Sequence, residues 1–305
     1  MSFFIPLNGT QLKAAWMIGA AFALLPSLAE AGTVAYYRFE NANPTAAVDE
    51  TGNHNGTITP GSFSSSVGQN PVAQTGAPNT QSLSISGGQY ASIPHSSSLS
   101  FGNNPWTIEA YINLNALPTA STAGQYIVQK KGAQVDDFQD YAFFIAGNRT
   151  NLANTYGNTG VDNTGAELRV EFGLGVAPGI VGVTSNLVVP SAGGWVFVSA
   201  AYDGGTSLRF TLDTNLSDNL PGLIDTIALP GLSTVTNTGP LNIGAKLSGA
   251  GAPAQPFGGL LDEVRISNEV LGTSALLNVP EPSTWALATL SVLAMGLVAR
   301  RRRKA

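Results

Sequence analysis

The sequence predicts an all-β protein, a two-sheet antiparallel sandwich, and three observations predict it. Helical periodicity is nearly absent between Gly32 and Gly259, and short runs of period two take its place. Clusters of Gly, Asn, Pro and Ser separate those runs, in a chain with 35 Gly and 18 Pro among 305 residues. About a dozen strands with turn signals and almost no helix suit two packed sheets. The runs do not divide into two similar halves, so one domain is expected over residues 32–278, between terminal segments 1–31 and 279–305.

Taken in order, Thr33–Glu40 reads as the opening strand, followed by a polar loop, Asn41–Gly56. Residues 62–81 are rich in Ser, Gln and Pro and read as a long surface loop. Ser82–Ser86 and Gln89–Pro94 read as a hairpin turning at Gly87-Gly88. Trp106–Leu114 alternates cleanly, with Ile108, Ala110, Ile112 and Leu114 on one face and Thr107, Glu109, Tyr111 and Asn113 on the other. Further strands are expected at Gln125–Lys131, Asp140–Ala146 and Ala166–Leu174. Trp195–Asp203 is apolar on both faces, the pattern of a central strand covered on both sides. Thr206–Asp213, Leu241–Lys246 and Gly259–Asn268 complete the set, and Glu269–Leu277 is expected to form a turn or two of helix.

The two ends carry address information. Lys13 precedes an apolar run, Ala14–Leu25, that Pro26 breaks. Ala29-Glu30-Ala31 then offers small residues at the two positions a signal peptidase reads, so 1–31 is expected to be a signal peptide cleaved after Ala31. At the other end stand Pro280-Glu281-Pro282, an uncharged segment 283–299, and the basic cluster Arg300–Lys304. As a helix, 283–299 would span roughly 25 Å, slightly short of a bilayer core of about 30 Å, which local thinning and snorkelling Arg and Lys can accommodate. The basic residues would stay on the cytoplasmic side, leaving the body outside. The chain has no Cys, which a domain of this size tolerates outside the cell. Six of the 14 Lys and Arg lie in the terminal segments against two of the 19 Asp and Glu, so the body is acidic and nucleic acid is not expected as a partner.

The tripartite tail resembles the PEP-CTERM sorting signal of Gram-negative bacteria through Pro280, Glu281 and Pro282, the span 283–299 and the cluster 300–304. That resemblance implies recognition by an exosortase-type processing enzyme. It also implies an inner-membrane stage before processing, and then the cell surface or an extracellular, biofilm-type matrix. A second resemblance rests on Pro105–Ile112, on Gly194–Val198 leading to Tyr202-Asp203-Gly204, and on Phe257–Asn268, with Ala35–Phe39 and the Asp49–Gly56 loop fitting the start. These resemble laminin-G-like, concanavalin A-like jelly rolls, and imply non-catalytic binding of extracellular polysaccharide or of a surface protein. The alternatives are a glycoside-active enzyme and a purely structural matrix component.

The chemistry-bearing residues are few. Asp262 shares parity with Val264 and Ile266, so it is expected to face the core and to need a partner. The Asp49–Gly56 loop offers hard oxygens, and the resemblance implies a structural calcium in some relatives. A Ca²⁺ site of Asp49, Asn53 and Asp262 is therefore one expectation, and a set of loop N–H bonds to the same carboxylates is the other. Glycoside hydrolysis needs two carboxylates about 5–10 Å apart. The nearest approach is Glu167 and Glu171 around Arg169, which an alternating exposed face also explains, and no catalytic residues are expected. His54 and His95 read as solvated loop residues. Trp106 and Trp195 read as core, while Phe138, Tyr141, Tyr156 and Phe257 are the loop aromatics that could floor a sugar site, with Asp136, Asp137 and Asp140 as a rim.

Overall fold

The computed structural model describes residues 32–119, 124–131, 139–147, 155–157, 165–174, 179–248 and 252–281. Ala29, Ala31, Pro282, residues 283–304, Asp136, Asp137 and Phe138 lie outside them. The expected class holds: two large sheets pack face to face, and among the described residues the helical elements are two 3-10 turns, Ser97–Leu99 and Thr273–Ala275.

The eight-stranded sheet runs Leu223–Ala228, Ser207–Asp213, Trp195–Tyr202, Trp106–Leu114, Gly259–Ser267, Ser82–Ile85, Phe63–Ser64, with Thr33–Tyr37 also paired to Gly259–Ser267. The nine-stranded sheet runs Thr155–Gly157, Ile180–Val188, Glu167–Gly173, Tyr141–Ala146, Gly124–Lys130, Leu241–Ile243, Tyr90–Ile93, Gly56–Thr59, Ala46–Ala47. Pairing is antiparallel except between Thr155–Gly157 and Ile180–Val188.

Period-two alternation places the core between the sheets. Ile108, Ala110, Ile112 and Leu114 turn inward, as do Val196 and Val198 next door and Phe143, Ile145, Leu168 and Val170 opposite. Trp106 sits in an aromatic nest with Phe101, Tyr141, Phe172 and Tyr202, ring centroids 5.6 to 6.4 Å away. Such pairs add to area burial because the ring edges and faces carry opposite partial charge.

Several expectations change. The strands on either side of Gly87-Gly88 do not form a hairpin. Ser82–Ile85 pairs with Gly259–Ser267 in one sheet and Tyr90–Ile93 pairs with Leu241–Ile243 in the other, so this turn crosses between layers. Both strands have inward apolar residues, Leu83 and Ile85, and Ala91 and Ile93, and each is satisfied by joining a different layer. Leu241–Lys246 breaks at Gly244 (φ 90), and its second half, Ala245–Leu247, pairs with Pro253–Pro256 as a separate ribbon.

The outer face of the eight-stranded sheet is not open to solvent. Residues 66–79 and 271–279 lie across it and bury a second apolar cluster of Tyr36, Val72, Tyr111, Phe197, Leu271, Leu276 and Leu277. Trp195 packs against this outer cluster, its Nε1 donating to Ser66 Oγ at 3.0 Å, so Trp106 alone of the two belongs to the inter-sheet core. The loop lies flat because Gly68 sits on the Tyr111 ring, where a Cβ would come within 2.5 Å of it. Tyr111 Oη then donates to Gln69 Oε1 at 2.7 Å.

Candidate functional site

The buried face under that covering holds the charged side chains of the closing strand. Leu261 pairs with Ile112 and Asp262 with Tyr111, but Arg265 pairs with Glu109, so an extra residue is inserted between them. Glu263 takes φ 51 there, the left-handed conformation of a β-bulge. The bulge changes parity: Leu261, Val264 and Ile266 face the core, while Asp262 turns to the outer side. The expectation that Asp262 shares a face with Val264 and Ile266 is thereby corrected, although its burial is complete.

Asp262 Oδ2 accepts from Gly68 N at 3.1 Å and from Asn79 Nδ2 at 2.8 Å. Burial, with the neighbouring Glu263 charge, pushes its carboxyl up to about 8. Glu263 accepts from Tyr36 Oη and pairs with Arg38 Nε at 3.1 Å. Glu109 accepts from Arg265 Nε, whose Nη2 donates to Ala275 O at 2.6 Å. Glu263 and Glu109 therefore each have a cationic partner, which is the condition for a buried charge to leave water.

Asp49 organises the opening loop. Its Oδ1 accepts from the N–H groups of Tyr36 and Thr51 at 2.8 and 3.1 Å. Its Oδ2 accepts from Thr51 Oγ1, Asn53 N and His54 N at 2.5, 3.2 and 2.9 Å. Burial pushes this carboxyl upward, and the donated bonds outweigh it and hold the group below the ordinary value. Five donors fill the roughly four lone-pair sites of a carboxylate. Asp49 and Asn53 are thus brought together, whereas Asp262 is bonded to Gly68 and Asn79 in another network; among the described residues no three or more His, Asp and Glu are grouped as metal ligands would be. His54 is not solvated: it is buried, with Nδ1 3.4 Å from Asp49 and Nε2 2.7 Å from Ser98 Oγ.

The outer face of the nine-stranded sheet carries a polar row. Gln129 Nε2 donates to Gln139 Oε1, Gln139 Nε2 to Glu171 Oε2, and Arg169 Nε to Glu171 Oε1, each at 3.3 Å. Arg169 Nη1 reaches Thr184 Oγ1 at 2.6 Å by crossing Gly182, where a Cβ would lie 1.8 Å from Nη2. Glu167, Arg169 and Glu171 are all buried, not exposed as their alternation suggested. Of the expected loop aromatics, Tyr141 and Phe257 are core residues and Tyr156 packs against the core.

An open cleft lies at one end of the sandwich. It is lined by His95, Ser97, Ser100, Thr236, Asn237 and Thr238 and encloses about 230 Å³. Beneath it the Lys130 ammonium donates to Gly239 O at 2.5 Å, His95 Nδ1 at 3.1 Å and Asn237 O at 3.3 Å. Asp140 accepts from Ser100 Oγ and, at 3.4 Å, from Gly102 N. Burial pushes Asp140 up to about 6 and Lys130 down to about 8. Desolvation and then the Lys130 charge hold His95 below the ordinary imidazole range. The ammonium fixes His95 with Nδ1 as acceptor, so Nε2 carries the proton when the ring is neutral. Sequence reasoning placed Asp140 at a rim and passed over Lys130, because nothing local in Gln-Lys-Lys marks which lysine is buried.

These features define a two-sheet β-sandwich with a small open cleft and no carboxylate among the cleft's lining residues. Residues 86–275, more than half of the chain, match the family described as the concanavalin A-like lectin/glucanases superfamily, and the chain belongs to it. Residues 278–303 match the PEP-CTERM protein-sorting motif, which marks an exported protein. No curated protein matches the sequence. Among solved structures, domain 4 of AbnA, a GH43 extracellular arabinanase from Geobacillus stearothermophilus, in complex with arabinotriose, is similar at 18% identity and a TM-score of 0.49, over 81% of this chain and 97% of that one. The botulinum neurotoxin serotype C1 binding domain is similar at 13% identity and a TM-score of 0.48, over 80% of this chain and 50% of that one. A Trypanosoma rangeli sialidase is similar at 13% identity and a TM-score of 0.45, over 80% of this chain and 31% of that one.

Proposed function

We propose that this protein is an exported, non-catalytic carbohydrate-binding component of the cell surface or matrix, processed at its Pro280–Pro282 motif by an exosortase-type enzyme. The observation that carries the binding reading is the end cleft. Its lining of hydroxyls, one amide and one imidazole offers donors and acceptors without net charge, the chemistry that recognises sugar hydroxyls. At about 230 Å³ it is smaller than the range for drug-sized ligands, which suits one sugar ring or the end of a polysaccharide chain. No carboxylate lines it, and Asp140 below is occupied by Ser100 and Gly102, so the paired acid and base of a glycoside hydrolase are not assembled there.

The test is a thermal melt of the protein with a panel of neutral polysaccharides and oligosaccharides. A ligand at a hundred times its Kd stabilises the native state by about 2.7 kcal/mol, a readily measured rise in midpoint. We expect one glycan class to raise the midpoint of the parent and not that of Ser97→Ala/Thr238→Ala, two residues that line the cleft. A panel that moves neither protein would overturn the binding reading in favour of a structural matrix role.

A further inference from the structure

The end cleft has one side chain whose hydrogen-bonding role the fold fixes in advance. His95 follows the strand Tyr90–Ile93 and stands exposed in the cleft wall. Lys130, the last residue of Gly124–Lys130, is fully buried beside it. An ammonium has three hydrogens to donate and no acceptor. Those of Lys130 meet three acceptors, Gly239 O at 2.5 Å, His95 Nδ1 at 3.1 Å and Asn237 O at 3.3 Å. No Lys130 hydrogen is left for a ligand, so its charge reaches the cleft only through His95. Among the described residues the imidazole makes this single hydrogen bond, which leaves Nε2–H without a partner. The neighbouring amide and hydroxyl are already engaged: Asn237 Nδ2 donates to Lys130 O at 3.2 Å, Asn237 Oδ1 accepts from Gly239 N at 2.9 Å, and Ser100 Oγ donates to Asp140.

The charges around the ring come from few elements. Lys130 faces it from one strand, and Asp140, just before Tyr141–Ala146, bears on Lys130 in turn. Residues 236–239 bring carbonyls, hydroxyls and one amide but no charge. Beyond Ser96–Ser98 stand His54, with Nε2 2.7 Å from Ser98 Oγ, and Asp49, 3.4 Å from His54 Nδ1. Desolvation and then the Lys130 charge hold His95 below the ordinary imidazole range, and burial pushes Asp140 up to about 6.

We propose that His95 is the ligand-orienting donor of the cleft, that Lys130 is its positioning residue, and that acid undoes the arrangement. With the ring neutral, Nδ1 is held by the ammonium and Nε2–H is offered to an acceptor such as a sugar hydroxyl or ring oxygen. A proton on Nδ1 sets two donors and two positive charges against each other across 3.1 Å, so the ring has to leave the ammonium and the cleft wall moves with it. Asp140 loses its charge in the same acidic range, so the counter-charge to the two cations fades as they form. A neutral sugar is thereby held near pH 7 and released in acid. The ligand's part in this inference rests on the proposed cleft binding; the ring's own behaviour does not.

The chain has two histidines, so nitrogen NMR of the imidazoles in the full-length protein resolves both, and His95→Gln assigns them by deletion. We expect His95 at pH 7 in the Nε2–H form, with a titration midpoint below the free-imidazole value of about 6.5. The backbone amides of Ser97, Asn237 and Gly239 should move with the same midpoint. Mixed tautomers at pH 7, a midpoint at or above the free value, or amides that ignore it overturn the switch. In Lys130→Met the midpoint should return toward the free value with both tautomers present, and an unchanged titration overturns the positioning role; should that variant not fold, the titration of the parent decides by itself. For a glycan that binds the parent, affinity should fall about tenfold from pH 7 to pH 5, the loss of one hydrogen bond. His95→Ala should show that loss at both pH values. His95→Gln, which keeps a donor and cannot titrate, should bind equally at both. Equal affinity of the parent at pH 5 and pH 7 overturns the role of His95 and leaves the cleft reading intact. A panel in which no glycan binds overturns the cleft reading and His95 as a ligand donor, while the titration still decides the switch.

Discussion

Asp262 shows how one residue can change the meaning of a strand. Alternation alone turned it toward the core, and the inserted Glu263 turned it to the opposite face, beneath Gly68 and Asn79. Nothing in Leu-Asp-Glu-Val-Arg announces the bulge, because the partners it serves, Arg38 and Tyr36, both of which donate to Glu263, lie far along the chain. The consequence is measurable. Burial raises the Asp262 carboxyl to about 8, so between its unfolded value and pH 8 the folded state binds the extra proton. The stability this contributes is fully present below the unfolded carboxyl range and is lost as pH rises through about 8. Asp262→Asn, nearly isosteric with the protonated acid, should stay within about 1 kcal/mol of the parent at pH 5. It should become the more stable of the two at pH 9, as read by urea unfolding across pH. Parallel profiles for the two proteins would show that Asp262 does not carry the linkage.

Elements were legible where alternation met an apolar core. Trp106–Leu114 and Glu167–Gly173 lie where the pattern put them, and Trp195–Tyr202 is a central strand buried on both faces. Ile180–Val188 was not anticipated, since Gly182, Thr184, Ser185 and Asn186 interrupt its apolar residues. The structure explains the composition: Val181 and Val183 face the core, and Gly182 leaves room for the Arg169 guanidinium to reach Thr184. A long-range contact of that kind leaves no local signature. Gly182→Val should displace Arg169 from Thr184 and cost about 1–3 kcal/mol, the usual range for overpacking. An unchanged urea midpoint would mean that the arginine relocates without loss.

At the scale of the whole molecule, the sandwich has an added outer layer. The segment 271–279 lies over Tyr111 and Phe197 with Leu276 and Leu277 fully buried, and it supplies further partners to Arg265, Glu109 and Asp213 through Ala275 O, Leu277 N and Asn278 Nδ2. Leu277→Ala should therefore destabilise the entire domain by about 2–5 kcal/mol in one cooperative transition, rather than release a frayed end. A separate early transition by hydrogen exchange over 273–279 would show instead that this layer opens alone. What local composition and periodicity could establish here was the class of fold, the strands that alternate, the acidic body and the address carried by residues 280–304, since each is written in neighbouring residues. The partition of strands between sheets, the sealing of one outer face, the bulge at Glu263 and the end cleft over Lys130 arise from pairings between residues tens to hundreds of positions apart. Only the folded chain decides these, because hydrogen bonds and burial are satisfied across space while period and composition act along the chain.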